Sequence, residues 1–176
     1  RGLLAGNRFA NNKVDQIHSE ASLINKLTIR DNEASKDGAT ADYALTISGL
    51  APDKPSRGWR VFGNQFDGGI LVNWSEDIEI YGNVSENVSI RPCVNVNRTC
   101  SNIRIRRNRF AMTQTADATT GVITVIGTAE GGPSRVVIED NDLKALGHPH
   151  SFGVRCEGAV SVQVIDNTIE GPGIVA

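Results

Sequence analysis

The chain has 176 residues, with 39% hydrophobic and 22% charged side chains and a formal net charge of −2, which excludes a disordered chain and argues against a basic nucleic-acid binder. No apolar run approaches the roughly 18 residues of a membrane-crossing helix, so neither membrane nor nucleic acid is an expected partner. Three cysteines make no complete disulfide framework, and no stretch has the length and 3.6-residue period of a bundle helix.

One pattern recurs along the chain: apolar, any, apolar, any, any, Asn, any, and usually apolar. A truncated copy comes first, as Leu4-Ala-Gly-Asn7-Arg-Phe9, followed by Leu27-Thr-Ile29-Arg-Asp-Asn32-Glu-Ala34 and a short alternating run, Leu45-Thr-Ile47. Trp59-Arg-Val61-Phe-Gly-Asn64-Gln-Phe66 precedes Ile70-Leu-Val72-Asn-Trp74; Ile78-Glu-Ile80-Tyr-Gly-Asn83 precedes Val94-Asn-Val96. Ile103-Arg-Ile105-Arg-Arg-Asn108-Arg-Phe110 leads to Ile123-Thr-Val125, and Val136-Val-Ile138-Glu-Asp-Asn141-Asp-Leu143 to Val154-Arg-Cys156. The last copy is Val162-Gln-Val164-Ile-Asp-Asn167-Thr-Ile169.

Successive Asn residues are 25, 32, 19, 25, 33 and 26 positions apart. Such a period is one turn of a solenoid, and the alternation before each Asn is that of a strand. Each turn is therefore predicted to hold two or three strands, all parallel. The crossover rule makes the coil right-handed. The fold class expected is all-β: a right-handed parallel β-helix of about seven turns, one domain over 1–176. Neither end shows a polar cap, so a further segment or partner subunits are expected to cover the coil ends.

The Asn falls where the chain bends, and Asn both tolerates left-handed backbone and carries a donor and an acceptor. Stacked at the ~4.8 Å strand spacing, successive amides form an internal ladder. The apolar residues two positions on (Phe9, Phe66, Phe110, Leu143, Ile169) are expected to form a neighbouring core stack, broken by Ser85. Cys93, Cys100 and Cys156 read as buried thiols. Asn83 begins an Asn-x-Ser sequon, and its ladder position makes it inaccessible. The same alignment sets Arg106 beside Glu139, Arg107 beside Asp140, Arg109 beside Asp142, and Arg60 and Arg104 on either side of Glu79. The basic cluster at 104–109 thus reads as inter-turn ion pairs.

The two longest turns carry extra loops, 34–42 with 49–58 and 111–121 with 127–134, and two shorter turns lie between them. Loops of this kind would wall a trough roughly 14 Å wide, or three strand spacings. Its floor would present Asn73, Arg91 and Asn95, with Trp74 at the edge. Amide, guanidinium and aromatic groups suit sugar hydroxyls, uronate carboxylates and sugar faces. A second cluster, His148-Pro149-His150 leading to Arg155, holds two of the three histidines and thus candidate proton carriers.

The Asn repeat resembles the parallel β-helix repeats of the pectate-lyase-like superfamily, whose members include polysaccharide lyases, mannuronan epimerases, glycoside hydrolases and phage tailspikes. His148-Pro149-His150 resembles the Asp-Pro-His motif of the epimerases, with His148 where that family has Asp. Arg155 resembles the lyases' arginine base. The resemblance implies two readings. One is a rigid shaft or recognition module of a larger surface, adhesin or virion protein, contacting polysaccharide or a cell-surface glycan. The other is a lyase or C5-epimerase acting on acidic polysaccharide through His148, His150 or Arg155. The tailspike likeness implies a homotrimer and an extracellular, cell-surface or virion location. No cofactor or metal is expected.

Overall fold

The computed structural model describes residues 1–10, 16–19, 24–35, 43–87, 91–113, 120–129, 131–145 and 151–176. Among them there is no helix, and the strands form three parallel sheets. Each turn contributes one strand to each sheet, so the chain is a parallel β-helix with three strands per turn. Sheet 1 holds the strands that lead into each Asn, in the order Gly2–Ala5, Leu27–Arg30, Arg60–Phe62, Ser75–Tyr81, Ser101–Arg106, Ser134–Glu139 and Val162–Ile165. The short Ser56–Arg57 strand also pairs with Ser75–Tyr81. Sheet 2 holds those that follow the Asn: Arg8–Ala10, Glu33–Ser35, Gln65–Phe66, Val84–Asn87, Arg109–Met112, Asp142–Ala145 and Thr168–Glu170. Sheet 3 holds the return strands: Ile17–Ser19, Leu45–Ser48, Ile70–Asn73, Val94–Asn97, Thr120–Ile126, Ser151–Glu157 and Ile174–Val175.

The register places like residues above like. Ile29, Val61, Ile80, Ile105, Ile138 and Val164 form one inward column of sheet 1. Phe9, Ala34, Phe66, Ser85, Phe110, Leu143 and Ile169 form the sheet 2 column. Ser85 interrupts that column as the repeat predicts, and its buried hydroxyl donates to the Gly68 carbonyl (2.9 Å). Cys93 and Cys100 are buried, Cys156 packs at the edge of the core, and all three are free thiols.

The asparagines line the corner between sheets 1 and 2. In every rung the Asn backbone N–H and side-chain Nδ2 both donate to the Oδ1 of the Asn one turn on. Asn64 thus reaches Asn83 at 3.0 and 2.9 Å, and Asn83 reaches Asn108 at 3.0 Å twice. The same Nδ2 donates to a carbonyl of the turn below, as Asn108 does to Ile80 (3.1 Å). Asn32, Asn64, Asn83, Asn108 and Asn141 are all buried. The buried Asn83 cannot serve as a sequon acceptor.

Two expectations need correction. The left-handed residue at the corner is not the Asn but the one before it: Gly6, Asp31, Gly63, Gly82, Arg107, Asp140 and Asp166 have φ between 51° and 65°. That residue turns the chain, which frees the Asn amide to point inward and bond to the next turn. The charge pairs are of two kinds. Arg107–Asp140 and Arg60–Glu79 pair straight across, as the alignment predicts (3.7 Å each). Arg106 is level with Glu139 but donates to Glu79 (2.6 Å), and Arg104 reaches Glu139 (2.7 Å from Nε), so these two run diagonally.

Replacing Asn108 by Ala removes the acceptor for two Asn83 donors and the donor to Asn141, so the expected loss is about 2–4 kcal/mol. Asn167→Ala, at a half-buried rung, should cost about 1 kcal/mol or less. Urea midpoints of the two variants measure the difference, and equal losses would contradict a buried ladder.

Candidate functional site

Sheet 3 presents an outward column His18, Thr46, Leu71, Asn95, Thr124, Arg155 and Val175, and a second, Ser48, Asn73, Asn97, Ile126 and Glu157. The predicted floor residues Asn73 and Asn95 therefore do lie on adjacent strands of one face. Three of the four outward residues of the flanking turns are buried, Thr46 3% exposed, Ser48 2% and Thr124 2%, while Ile126 is half-exposed. Between them Leu71, Asn73, Asn95 and Asn97 are half-exposed. The two middle strands thus form a sunken floor between covered flanks. Loop segments 36–42 and 114–119 lie outside the described residues.

Trp74 is not the last residue of its strand, as the alternation suggests, but the corner residue after it, with φ 41°. Its neighbour one turn on is Arg98, φ 62°, whose guanidinium carbon sits 4.2 Å from the centroid of the Trp74 ring. The same corner position in the surrounding turns is Gly49, Gly127 and Gly158. Space there is tight: a Cβ at Gly49 would lie 2.3 Å from the Trp74 carbonyl oxygen. Left-handed backbone costs an ordinary side chain roughly 1–2 kcal/mol. The two turns that make the floor therefore carry a bulky aromatic and a cation where the others carry glycine.

The floor also concentrates unsatisfied polar atoms. Among the described residues, Asn73 Oδ1, Asn95 Oδ1, Trp74 Nε1 and Thr99 Oγ1 are the buried side-chain atoms with no hydrogen-bond partner. Each such atom costs roughly 1–3 kcal/mol, and native structures hold few of them. All four fall between residues 73 and 99. The Asn95 Nδ2 donates to the Tyr43 hydroxyl (2.8 Å), which orients that amide. Arg91 is exposed, ahead of the Val94–Asn97 strand.

Arg155 shares the outward column of Asn95 and Thr124, but its guanidinium donates to Glu157 (2.5 Å) two residues on. His148 and His150 lie outside the described residues.

Arg98, Thr99 and Tyr43 belong to this face and were not singled out by sequence reasoning. The signal existed in the residue after each sheet 3 strand, which reads Gly, Trp, Arg, Gly, Gly once the strand register is known. The pattern before the Asn does not reach that corner.

Burial pushes the Cys100 thiol up to about 12, and burial also raises that of Cys156. The neutral thiol is the form the folded state prefers, so this contribution is fully present below the unfolded value of 9.0 and fades as pH rises from there toward about 12. Native protein at pH 8 should therefore leave Cys100 unmodified by a thiol reagent, with half-buried Cys156 reacting first. Peptide mapping after alkylation reads this directly, and fast labelling of Cys100 would contradict its burial.

Compared with known proteins, the chain matches no protein-family model, no curated protein and no solved structure. Its fold assignment rests on the ladders and registers of its own strands.

Proposed function

We propose that the protein is a rigid recognition module of the pectate-lyase-like kind, part of a larger surface or virion protein, whose sheet 3 floor holds an extended acidic polysaccharide. The observation that carries this reading is the Trp74–Arg98 pair, an aromatic with a guanidinium over its ring at a corner where the surrounding turns have Gly49, Gly127 and Gly158.

The chemistry of the floor fits such a ligand. Trp74 offers a half-exposed indole against which the apolar face of a pyranose packs. Arg98 supplies charge and planar donors for a uronate carboxylate. Asn73, Asn95 and Thr99 add half-exposed polar side chains to the same floor. A stiff coil of parallel strands holds these groups at fixed spacing, so the polymer is bound without reorganising the protein. Within this reading the module acts outside the cell, and the capping segments or trimer partners implied by the resemblance complete the assembly. Arg155, paired with Glu157, serves as an additional cation beside the floor.

The test uses intrinsic fluorescence: the second tryptophan, Trp59, is buried with its indole N–H on the Ile24 carbonyl (2.8 Å), and the Trp74 signal is the difference between the wild-type protein and Trp74→Gly. Titration with pectate or alginate should perturb the Trp74 signal, and neutral dextran should not. Arg98→Gly should raise the pectate concentration at which the Trp74 signal responds by at least about tenfold while melting temperature changes little. A Trp74 response with an unchanged midpoint in Arg98→Gly would refute the reading.

A further inference from the structure

We infer that sheet 1 carries a second, separate binding groove, and that it takes a short acidic oligosaccharide lying parallel to the coil axis. The groove is a consequence of backbone geometry. One residue near the start of each of the five middle sheet 1 strands is left-handed: Lys26, Gly58, Asp77, Asn102 and Arg135, with φ between 52° and 69°. The register stacks the first four in a column, two positions from the outward column Thr28, Arg60, Glu79 and Arg104. Two outward ridges thus run along the axis. Between them lies a cavity of about 730 Å³, whose lining includes Lys26, Thr28, Arg60, Asp77, Glu79 and Arg104. Gly58 is the one residue of the left-handed ridge without a side chain, and it widens the middle.

The lining selects the ligand class. The backbone groups of the four strands from Leu27–Arg30 to Ser101–Arg106 are spent on pairing with the turns above and below, so the floor of the groove has no free edge to add a peptide strand. The apolar residues beneath, Trp59 and Ile78, are fully buried and offer no pocket to a lipid chain or an apolar side chain. What remains is a row of hydroxyl, amide, carboxylate and cationic groups repeating at the strand spacing. An extended sugar chain repeats at a similar length, so successive rings meet equivalent positions on successive turns.

The charge ledger points to an acid. Glu79 is shared between Arg106 (2.6 Å) and Arg60 (3.7 Å), Arg104 is held by Glu139, and Asp77 accepts a hydrogen bond from Asn102 (2.6 Å). Lys26 is exposed and has no carboxylate within ion-pair distance among the described residues. The groove therefore offers cations at Lys26 and at Arg60, whose neighbouring carboxylate is already engaged by Arg106. From the Gly2–Ala5 strand to the Ser101–Arg106 strand it spans four strand spacings, ~19 Å, enough for about four sugar units.

Calorimetry with oligogalacturonates of increasing length tests this. Affinity should rise up to about four units and then level off. Thr28→Tyr, which fills the groove without altering charge, should weaken binding by at least about tenfold. Lys26→Asn keeps a residue tolerant of left-handed backbone; it should weaken binding and flatten the salt dependence. If Thr28→Tyr does not fold, Lys26→Asn decides. Trp74→Gly should leave this binding intact, which separates the groove from the sheet 3 floor. No binding by the wild-type protein overturns the inference. So does binding that ignores both sheet 1 substitutions, or that disappears in Trp74→Gly.

Discussion

The side-chain amide stacked on the next turn's amide is the interaction on which the rest of this coil depends. A solenoid that turns a corner brings backbone donors to a place where neither water nor a neighbouring strand meets them. Each Asn answers this by accepting two bonds at Oδ1 from the turn before and donating through its own backbone N–H and Nδ2 to the turn after. Because the amide has one acceptor and one donor group at fixed spacing, the bond is satisfied in one register only. A slip of one residue would flip the apolar columns outward as well as break the ladder. The polar corner and the hydrophobic stacks therefore select the same alignment of turns, which is the consistency expected of a unique fold.

The alignment then dictates the surface. Residues at equivalent positions of successive turns become near neighbours, however far apart in sequence. Phe62 and Tyr81 stack with ring centroids 4.8 Å apart, and Arg106 lies over Tyr81 (5.1 Å). Opposite charges meet across turns at Arg104–Glu139 and Arg106–Glu79, and along a strand at Arg155–Glu157. The three faces consequently differ in character: sheet 1 is a ridged, charged surface, and sheet 3 is a sunken floor with a strained aromatic corner. Function on such a scaffold is a departure from the repeat. Trp74 and Arg98 where the other turns have glycine, and Gly58 where the other turns have side chains, are departures of that kind.

How much was legible follows from the range of each interaction. The strand alternation, the Asn period, the core columns and the Ser85 break are local patterns repeated many times, so the residues themselves declared them. Asn73 and Asn95 were placed on one face because strand alternation alone decides which side a residue points to. The left-handed residue was assigned one position too late. Asn is the usual occupant of that conformation, and in this repeat it is needed for the ladder instead. The diagonal ion pairs were missed because register aligns Cα atoms, whereas a guanidinium reaches across to the next pair.

By itself the sequence determined the architecture: a repeated code of apolar alternation and Asn can be satisfied only by stacking turns in parallel, and any copy of the code carries the same instruction. What the tertiary structure alone decided is which exceptions meet. That Arg98 covers Trp74, that Tyr43 holds Asn95, and that Lys26 and Arg104 border the same groove depend on the lengths of the loops between copies and on the bend at each corner. Those quantities are sums over many weak local preferences, and they become definite only when the buried ladder and core lock successive turns together.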